Sequence, residues 1–543
     1  MRIAAVLVAL AIPCWPAGAA YAQTTAEGFT YHVVDHERTP GQITAMLQPF
    51  VDAWKGETAD GSHIQAWSTR LTEVLHAGGY PIGQVLVTAE DARRAEQSHV
   101  LQFTVYLGQI GRLDVDNSSR VKEARLKRTL EHALCDKGRG IGEGCVLESS
   151  RLERATQLVQ DIPGVTLGGA PALDSQGVGT GQTHMTVQTV PVGQAVSYDA
   201  IADNQGTDAT GLLRLGATVS ANNILGEGDS YSAALYTTNK HMWSGTLGAS
   251  GPIGYSGLRW SLAAGRALYS INSDVQVKAV ADTVSTGLVY PFVRGLDANV
   301  YGAFDLLDTH TKTSYPDFGF DVQTHLYASR LTFSGNNGDR AQQLGLSQWQ
   351  GSVALTVGDQ SNDDAQDVGP QRAGRYAKLS ADLMRRQNLT SSTNLFAVAN
   401  VRGQLASKNL DYSEMLSLGG LNGVRAYRAD EGSVDQGVIA SLDLRWRWVL
   451  PKGGQILPGP FVDFALGQLN RDPWPGWQAG YPTVSNVTNR RVLAGYGLAI
   501  DWVSTNGFTT SVAWARRFPF AQDSWVAPGS ARSRFWLSFT WKH

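Results

Sequence analysis

Residues 416–428 read Leu-Ser-Leu-Gly-Gly-Leu-Asn-Gly-Val-Arg-Ala-Tyr-Arg, and residues 461–463 read Phe-Val-Asp. The first stretch has the glycines of a loop and carries Arg425 just after them. The second has the alternation of a strand, which puts Val462 on one face and Asp463 on the other. An arginine in a loop and a carboxylate on the polar face of a strand predict a loop that plugs the inside of a barrel. The pattern favours a pore over an enzyme.

The N-terminus has the pattern of a secretory signal. Arg2 is followed by the apolar run Ile3–Ile12 and then by Ala20-Tyr21-Ala22. This order predicts a signal peptide over residues 1–22 with cleavage after Ala22. The apolar run is too short for a membrane-spanning helix, so we expect the mature chain to begin beyond it.

The composition excludes one class of partner and leaves two kinds of protein open. The formal net charge of the 543-residue chain is -3, which gives no basic surface for nucleic acid. Beyond the signal there is no apolar run of about 18 residues, as a membrane helix would need. A periplasmic protein would satisfy this, and so would a transmembrane β-barrel, whose strands alternate in polarity. The 59 glycines, 15 tryptophans and 18 tyrosines suit turns and interfacial aromatic girdles.

Two cysteines remain after the predicted cleavage, Cys135 and Cys145, and a glycine-rich segment separates them. A zinc site needs about four ligands, and this pair lacks the others. In an oxidising periplasm a local disulfide is the expected state. We therefore predict a Cys135–Cys145 disulfide.

Residues 29–193 contain the same order of elements twice, β-α-α-β-β, which predicts two small α+β domains at 29–108 and 109–193. In the first domain the predicted elements are a strand at 29–34, a helix starting at Thr39-Pro40, a helix over 64–75, and strands at 81–87 and 100–107. In the second they are a strand at 110–115, helices at 121–134 and 150–161, and strands at 165–167 and 183–190.

From about Ser197 to His543 the helical periodicity gives way to alternation. Segments of about ten residues are apolar on one face and polar or charged on the other, as in transmembrane strands. A soluble sandwich would also alternate, but it would not keep so many charges on the polar face beside aromatic borders. At roughly 20 residues for each strand and its connection, residues 197–543 predict an antiparallel barrel of about 16 strands. A re-entrant loop is expected near 412–438.

Several stretches match one family in order: 152–165, 203–206, 226–229, 418–427, 435–437 and 461–463. Together with the repeat and the barrel, they resemble the two-partner secretion translocators, also called haemolysin or adhesin secretion/activation proteins. These proteins join periplasmic POTRA domains to an outer-membrane barrel. Residues 418–427 resemble a loop whose usual signature is Val-Arg-Gly-Tyr/Phe, with Ala426 where glycine is usual. Only residues 23–28 precede the first POTRA strand, so a longer N-terminal plug helix, known in some members, is expected to be absent.

The resemblance implies an anchoring pair inside the barrel lumen. In that pair Arg425 binds Asp463, since a guanidinium can grip a carboxylate bidentately. The loop motif consists of Gly419, Gly420, Val424 and Tyr427, and Phe461 belongs to the strand motif. Competing partners for the arginine are Asp430, Glu431, Asp435 and Asp443, and an exposed hairpin with no special partner is the remaining alternative.

The function that the resemblance implies is export of a partner protein from the periplasm to the cell surface. The POTRA domains would bind the unfolded partner by β-augmentation, and the barrel would act as the pore. The expected partners are a large β-helical secreted protein, outer-membrane lipid and the barrel-assembly machinery, with no nucleic acid. Alternatives are a barrel-assembly factor of the same superfamily and a passive porin. No catalytic constellation, metal-ligand spacing or cofactor motif stands out, so we expect no enzyme.

Overall fold

The computed structural model describes residues 24–35, 41–272, 276–362, 371–451, 453–480, 487–521 and 531–543. The predicted signal peptide (1–22) and the predicted helix start at Thr39-Pro40 lie outside these residues. The chain divides into two compact units. The first runs up to Val192 and also includes the turn Gly254–Gly257, and the second contains the rest of the chain from Gly193 onwards. Among the described residues, no helix is both long and apolar enough to cross a bilayer.

The first half of the N-terminal unit is a three-stranded sheet with helices. Its strands are Gly28–Val33, Gln84–Leu86 and Val100–Tyr106, and its helices are α1 (Gln42–Val51), α2 (Gly61–Ala77) and α3 (Ala89–Ser98). The central strand Val100–Tyr106 pairs in parallel with Gly28–Val33 and antiparallel with Gln84–Leu86. A two-residue pairing of Thr24–Thr25 with Thr58–Ala59 adds a small ribbon.

Helix α2 shows why the predicted periodicity produces a helix. Its buried residues, Ile64, Trp67, Leu71 and Leu75, recur at helical spacing and face the core. The Asp60 carboxylate caps its first turn, because it accepts hydrogen bonds from the backbone N–H groups of Ser62 and His63. The Ser62 hydroxyl also donates to this carboxylate at 2.7 Å and lowers the pKa of Asp60.

Helix α3, between the last two strands, was not predicted. It buries only short side chains, those of Asp91, Ala92 and Ala95, so it lacks the large apolar residues that mark a helical period. A capping signal was present at Thr88, whose hydroxyl accepts a hydrogen bond from the backbone N–H of Asp91 at 3.1 Å. The N-terminal cap at Thr88 is therefore the sequence signal that could have predicted this helix, since its hydrophobic periodicity is weak.

The second half repeats the arrangement around another sheet. Its strands are Gln109–Asn117, Val165–Leu167, Ala172–Asp174 and Gln182–Pro191, and its helices are α4 (Glu123–Leu134) and α5 (Ser149–Gln160). The long strand Gln182–Pro191 pairs in parallel with Gln109–Asn117 and antiparallel with the two short strands. The short strand Ala172–Asp174 is an addition to the predicted order.

A disulfide closes the loop that follows α4. It joins Cys135, at the end of the helix, to Cys145, ten residues further on. The Cys145 side chain is buried in the core of this half, next to Leu147. The predicted pairing of the two cysteines is therefore present in the structure.

The second unit is a closed antiparallel barrel of 16 strands. In chain order the strands are Val196–Asp203, Arg214–Asn222, Ser230–Thr238, Trp243–Pro252, Arg259–Asn272, Gln276–Arg294, Asn299–Tyr315, Phe320–Asn336, Gln348–Asn362, Gly374–Asn388, Leu395–Ala406, Gln436–Trp446, Gln455–Gln468, Arg490–Val503, Phe508–Arg517 and Ser533–Lys542. The twelfth strand continues past Arg447 as Trp448–Val449, and helix α6 (Gly338–Gln343) lies between the eighth and ninth strands. The first strand pairs with the last, which closes the sheet.

The alternation predicted from the sequence is seen as two different faces of the barrel wall. On the thirteenth strand, Val462 and Phe464 are 45% and 43% exposed on the outer face, whereas Asp463 and Ala465 are buried on the inner one. Leu215 on the second strand is likewise exposed outwards. Exposed apolar residues therefore lie on the outer face, and the charged side chain of the thirteenth strand faces the lumen, as in membrane barrels.

Candidate functional site

The long connection between the eleventh and twelfth strands, residues 407–435, folds back into the barrel. Its apolar side chains form a buried cluster with inward-facing residues of the last five strands. The cluster contains Leu418, Val424, Ala426, Tyr427 and Val434 from the loop, and Ile439, Phe461, Ala465, Leu493, Ala515 and Trp536 from the wall. The loop predicted near 412–438 is thus a re-entrant loop that packs against the inner wall.

Glycines give the tip of the loop its shape. Gly420 adopts a left-handed φ of +88°, which suits glycine because it has no Cβ. A Cβ on Gly419 would overlap the carbonyl oxygen of Arg428, and one on Gly423 would overlap that of Leu418. The turn is closed by hydrogen bonds from the N–H of Val424 to Leu418 and from the N–H of Gly420 to Tyr427. The predicted loop motif therefore has a backbone role.

Arg425 binds Asp463, its predicted partner, through three donors. The backbone N–H of Arg425 donates to Asp463 Oδ2 at 2.9 Å, as does its Nε at 2.9 Å. Its Nη2 donates to Asp463 Oδ1 at 2.6 Å. Because both the peptide and the guanidinium are held, the contact fixes the position of the loop tip as well as its charge.

The same guanidinium also binds Asp443, on the twelfth strand, in a bidentate contact. Nη1 and Nη2 of Arg425 each donate to one oxygen of Asp443 at 2.9 Å. Asp443 in turn accepts a hydrogen bond from Arg445 at 2.8 Å, and Arg445 reaches Asp501 at 3.1 Å. Arg425 therefore binds two of the candidate carboxylates, Asp463 and Asp443, at the same time. The sequence had led us to expect Asp463 alone.

Aromatic side chains enclose the arginine. The guanidinium carbon of Arg425 lies 3.4 Å from the ring centre of Phe461, a cation–π contact. Trp536 Nε1, on the last strand, donates to the carbonyl oxygen of Arg425 at 2.7 Å. Sequence reasoning missed Trp536. On the last strand the exposed Phe535 and Phe539 lie on the outer face, so strand alternation places Trp536 on the inner face.

The other candidate carboxylates have different partners. Glu431 pairs with Arg517 at 3.0 Å and also with Arg534, and Arg517 lies over the ring of Tyr427 at 4.2 Å. Asp435 accepts hydrogen bonds from the backbone N–H groups of Leu410 and Arg471. The side chain of Asp430 lies outside the described part of the structure.

Ala426 stands where the loop signature usually has glycine, and the residue that it faces leaves room for its side chain. Ala426 is fully buried, and a Cβ built on Gly495 would lie only 2.7 Å from the Cβ of Ala426. Gly495, on the fourteenth strand, therefore leaves the space that the extra methyl group fills.

A cavity of about 580 Å³ lies beside the loop tip within the barrel. Leu421 and Asn422 of the loop line one side beside Arg425. The wall contributes neutral polar groups such as Asn336, Ser352 and Asn400, and also the charged Asp382, Arg402 and Asp443. Such a lining offers both neutral and charged hydrogen-bonding groups to an occupant. Within the described ranges, no group of three or more His, Cys, Asp or Glu side chains is placed to hold a metal ion.

The chain is similar to proteins of one family over most of its length. A family model described as "Haemolysin secretion/activation protein ShlB/FhaC/HecB" matches residues 181–477. The Heme/hemopexin transporter protein HuxB of Haemophilus influenzae is 20% identical over 507 residues, which cover 91% of this chain and 84% of HuxB.

Two solved structures share the fold. CdiB from Escherichia coli has a TM-score of 0.74 at 17% identity, with 98% of this chain and 93% of that chain covered. CdiB from Acinetobacter baumannii has a TM-score of 0.67 at 15% identity, with 96% and 90% covered.

Proposed function

Because this chain belongs to the haemolysin secretion/activation family of two-partner secretion translocators, we propose that its periplasmic domains capture an unfolded partner and its barrel carries that partner outwards. The barrel lies in the outer membrane, and the N-terminal α/β region is periplasmic. The proposal includes POTRA domains at 29–108 and 109–193, a barrel at 197–543 and cleavage of a signal peptide after residue 22.

Capture of the partner is assigned to an open sheet edge. Gly28–Val33 pairs on one side with Val100–Tyr106, and no other partner for it is found among the described strands. An extended polypeptide can add to such an edge through its backbone, which makes the contact tolerant of sequence. An unfolded partner offers backbone groups of this kind along its whole length.

Transport through the barrel is assigned to the lumen that the loop now occupies. The observation that carries the proposal is a loop held by charge inside a closed barrel, where Arg425 meets Asp443 and Asp463. These ion pairs must break for a polypeptide to pass. Because Asp443 and Asp463 lie on strands of the closed barrel, they stay in position to bind Arg425 again afterwards. The driving force is the folding of the partner outside, and the activity needs no catalytic residue.

The partner is a large β-helical protein in this proposal. The relatives carry the name Heme/hemopexin transporter protein, so haem-binding and hemopexin-binding proteins belong to the first candidates to test. The barrel-assembly machinery would insert the barrel, beginning from strands such as Ser533–Lys542. The family match favours this function over barrel assembly, the main alternative from the sequence.

The direct test is deletion of the gene, followed by mass spectrometry of the medium and of peptides shaved from intact cells. We expect one large protein to disappear from the surface fraction and to return when the wild-type gene is restored. A general loss of outer-membrane barrels would instead support an assembly factor. An unchanged surface fraction would contradict export of a dedicated partner.

A further inference from the structure

Besides the contacts of Arg425 and Glu431 with the last strands, the re-entrant loop is attached through its first residues, 409–415, which we call the proximal arm. Leu410, in this arm, is buried against Leu326, Ala328, Tyr376 and Ala406 of the wall. These wall residues belong to the eighth, tenth and eleventh strands. The proximal arm is thus packed against strands other than those whose residues bind Arg425.

An ion pair closes this second contact. Lys378 Nζ lies 2.5 Å from Glu414 Oε2, and both side chains are only about one-tenth exposed. Lys378 also donates to the carbonyl oxygen of Glu414 at 3.0 Å, as does Gln404 Nε2. Removing one member of an enclosed pair leaves the other charge without compensation, so each of the two side chains matters.

The two attachments share no side chain among the contacts described for them. The loop tip is held by Asp443, Asp463 and Trp536, on the twelfth, thirteenth and sixteenth strands. The arm is held by Lys378 and Gln404, on the tenth and eleventh. Because separate contacts without shared partners contribute additively to stability, the arm adds its own free energy of closure to that of the tip.

We propose that Lys378 and Glu414 are positioning residues that form a second, independent closure of the pore, so that full opening requires release of both the proximal arm and Arg425. This inference rests on the proposed function, which makes the lumen a transport path. The inference extends the proposed function, because it adds the Lys378–Glu414 contact as a closure on another part of the barrel wall.

The test is single-channel conductance of the purified full-length protein in planar bilayers, which needs no partner. Glu414→Gln and Arg425→Ala should each raise the ratio of open to closed time roughly tenfold or more. The combined variant should raise it by about the product of the two factors. The exchange Lys378→Glu with Glu414→Lys should restore most of the closure, because it restores the pair with reversed charges.

Lys312→Met is the matched control, since Lys312 pairs with Asp321 at 2.7 Å at a half-exposed site on the seventh and eighth strands. It should conduct like the wild type. Leu410→Ala offers a variant that weakens the arm without stranding a charge, and it too should raise the open fraction. Heat-modifiable gel mobility verifies that each barrel is folded.

The proposal is overturned if folded Glu414→Gln and Leu410→Ala both conduct like the wild type, or if the charge exchange restores nothing. These outcomes are separate from failure of the proposed function. The deletion experiment tests export in cells, whereas conductance tests the closure of the barrel itself.

Discussion

Arg425 satisfies two carboxylates and a ring at once because a guanidinium is planar and has five donors in a fixed fork. Asp463 takes one edge of the fork, Asp443 takes the other, and Phe461 covers the face. A lysine has three donors on one point and could not fill these positions together. The chemistry of the site therefore depends on arginine itself rather than on positive charge alone.

Substitution of the anchoring pair should impair secretion. Arg425→Ala and Asp463→Ala should each reduce export while leaving a folded barrel, since each leaves a buried charge poorly compensated. Arg425→Lys should restore little, and the double variant should be less defective than the sum of the single variants. The measurement is the amount of partner in the medium, normalised to heat-modifiable barrel in the membrane.

Asp282→Asn is a suitable control for these variants, because Asp282 pairs with Arg266 at a largely exposed site on the fifth and sixth strands. It should secrete normally. Strictly additive defects of Arg425→Ala and Asp463→Ala would show that the two residues do not act through one contact.

Ala426 and Gly495 should behave as a compensating pair. Gly495→Ala alone should displace the loop tip, because its new Cβ would meet that of Ala426 at 2.7 Å. Adding Ala426→Gly should restore secretion in that background. Gly403→Ala, where the nearest atom to the new Cβ lies at 3.7 Å, should have little effect. A Gly495→Ala variant that secretes normally would show that the tip can shift without cost.

Helices and strands with a strong hydrophobic periodicity were predictable from the sequence, and those without such a periodicity were not. Helix α2 buries Trp67 and Leu71 at helical spacing, so its pattern alone indicated a helix. Helix α3 buries mainly alanines, and the strand Ala172–Asp174 is three residues long. Neither element therefore shows a hydrophobic periodicity in the sequence. Short or weakly apolar elements are set by their surroundings rather than by their own sequence.

The disulfide should stabilise the element that it closes. A chain closed over ten residue steps restricts the unfolded state by about 3 kcal/mol at most in the loop-entropy model. Replacement of Cys135 and Cys145 by serine should therefore lower the free energy of unfolding of the periplasmic unit by up to that amount. Urea unfolding followed by tryptophan fluorescence would measure it.

Thiol labelling without a reducing agent provides the control for this prediction. The mature wild-type protein should show no free thiol until it is reduced. Two reactive thiols in the unreduced protein, or equal stability of the serine variant, would contradict it.

At the scale of the whole molecule, the barrel follows from alternation repeated along more than half of the chain. Each strand needs only an apolar face and a polar face, and this local rule predicted about 16 strands, as found. The site was predictable in part, since Arg425 and Asp463 stand in distinctive stretches. Asp443 was named only as a competing partner, and Trp536 and the Glu414–Lys378 contact were not identified. These contacts depend on which strands meet across the lumen, which is a property of the closed barrel.

Passage of the partner polypeptide through the lumen of this barrel can be tested directly. The most direct test uses a partner fused to a tightly folding domain, so that it stalls during export, with cysteines along the stalled segment. Ser352→Cys places a thiol on the cavity wall, and Val353→Cys places one on the outer face, where the native residue is 49% exposed. We expect a disulfide-linked complex with the stalled partner for Ser352→Cys and none for Val353→Cys. Linkage to Val353→Cys alone, or to neither position while the partner is stalled, would contradict passage through the lumen.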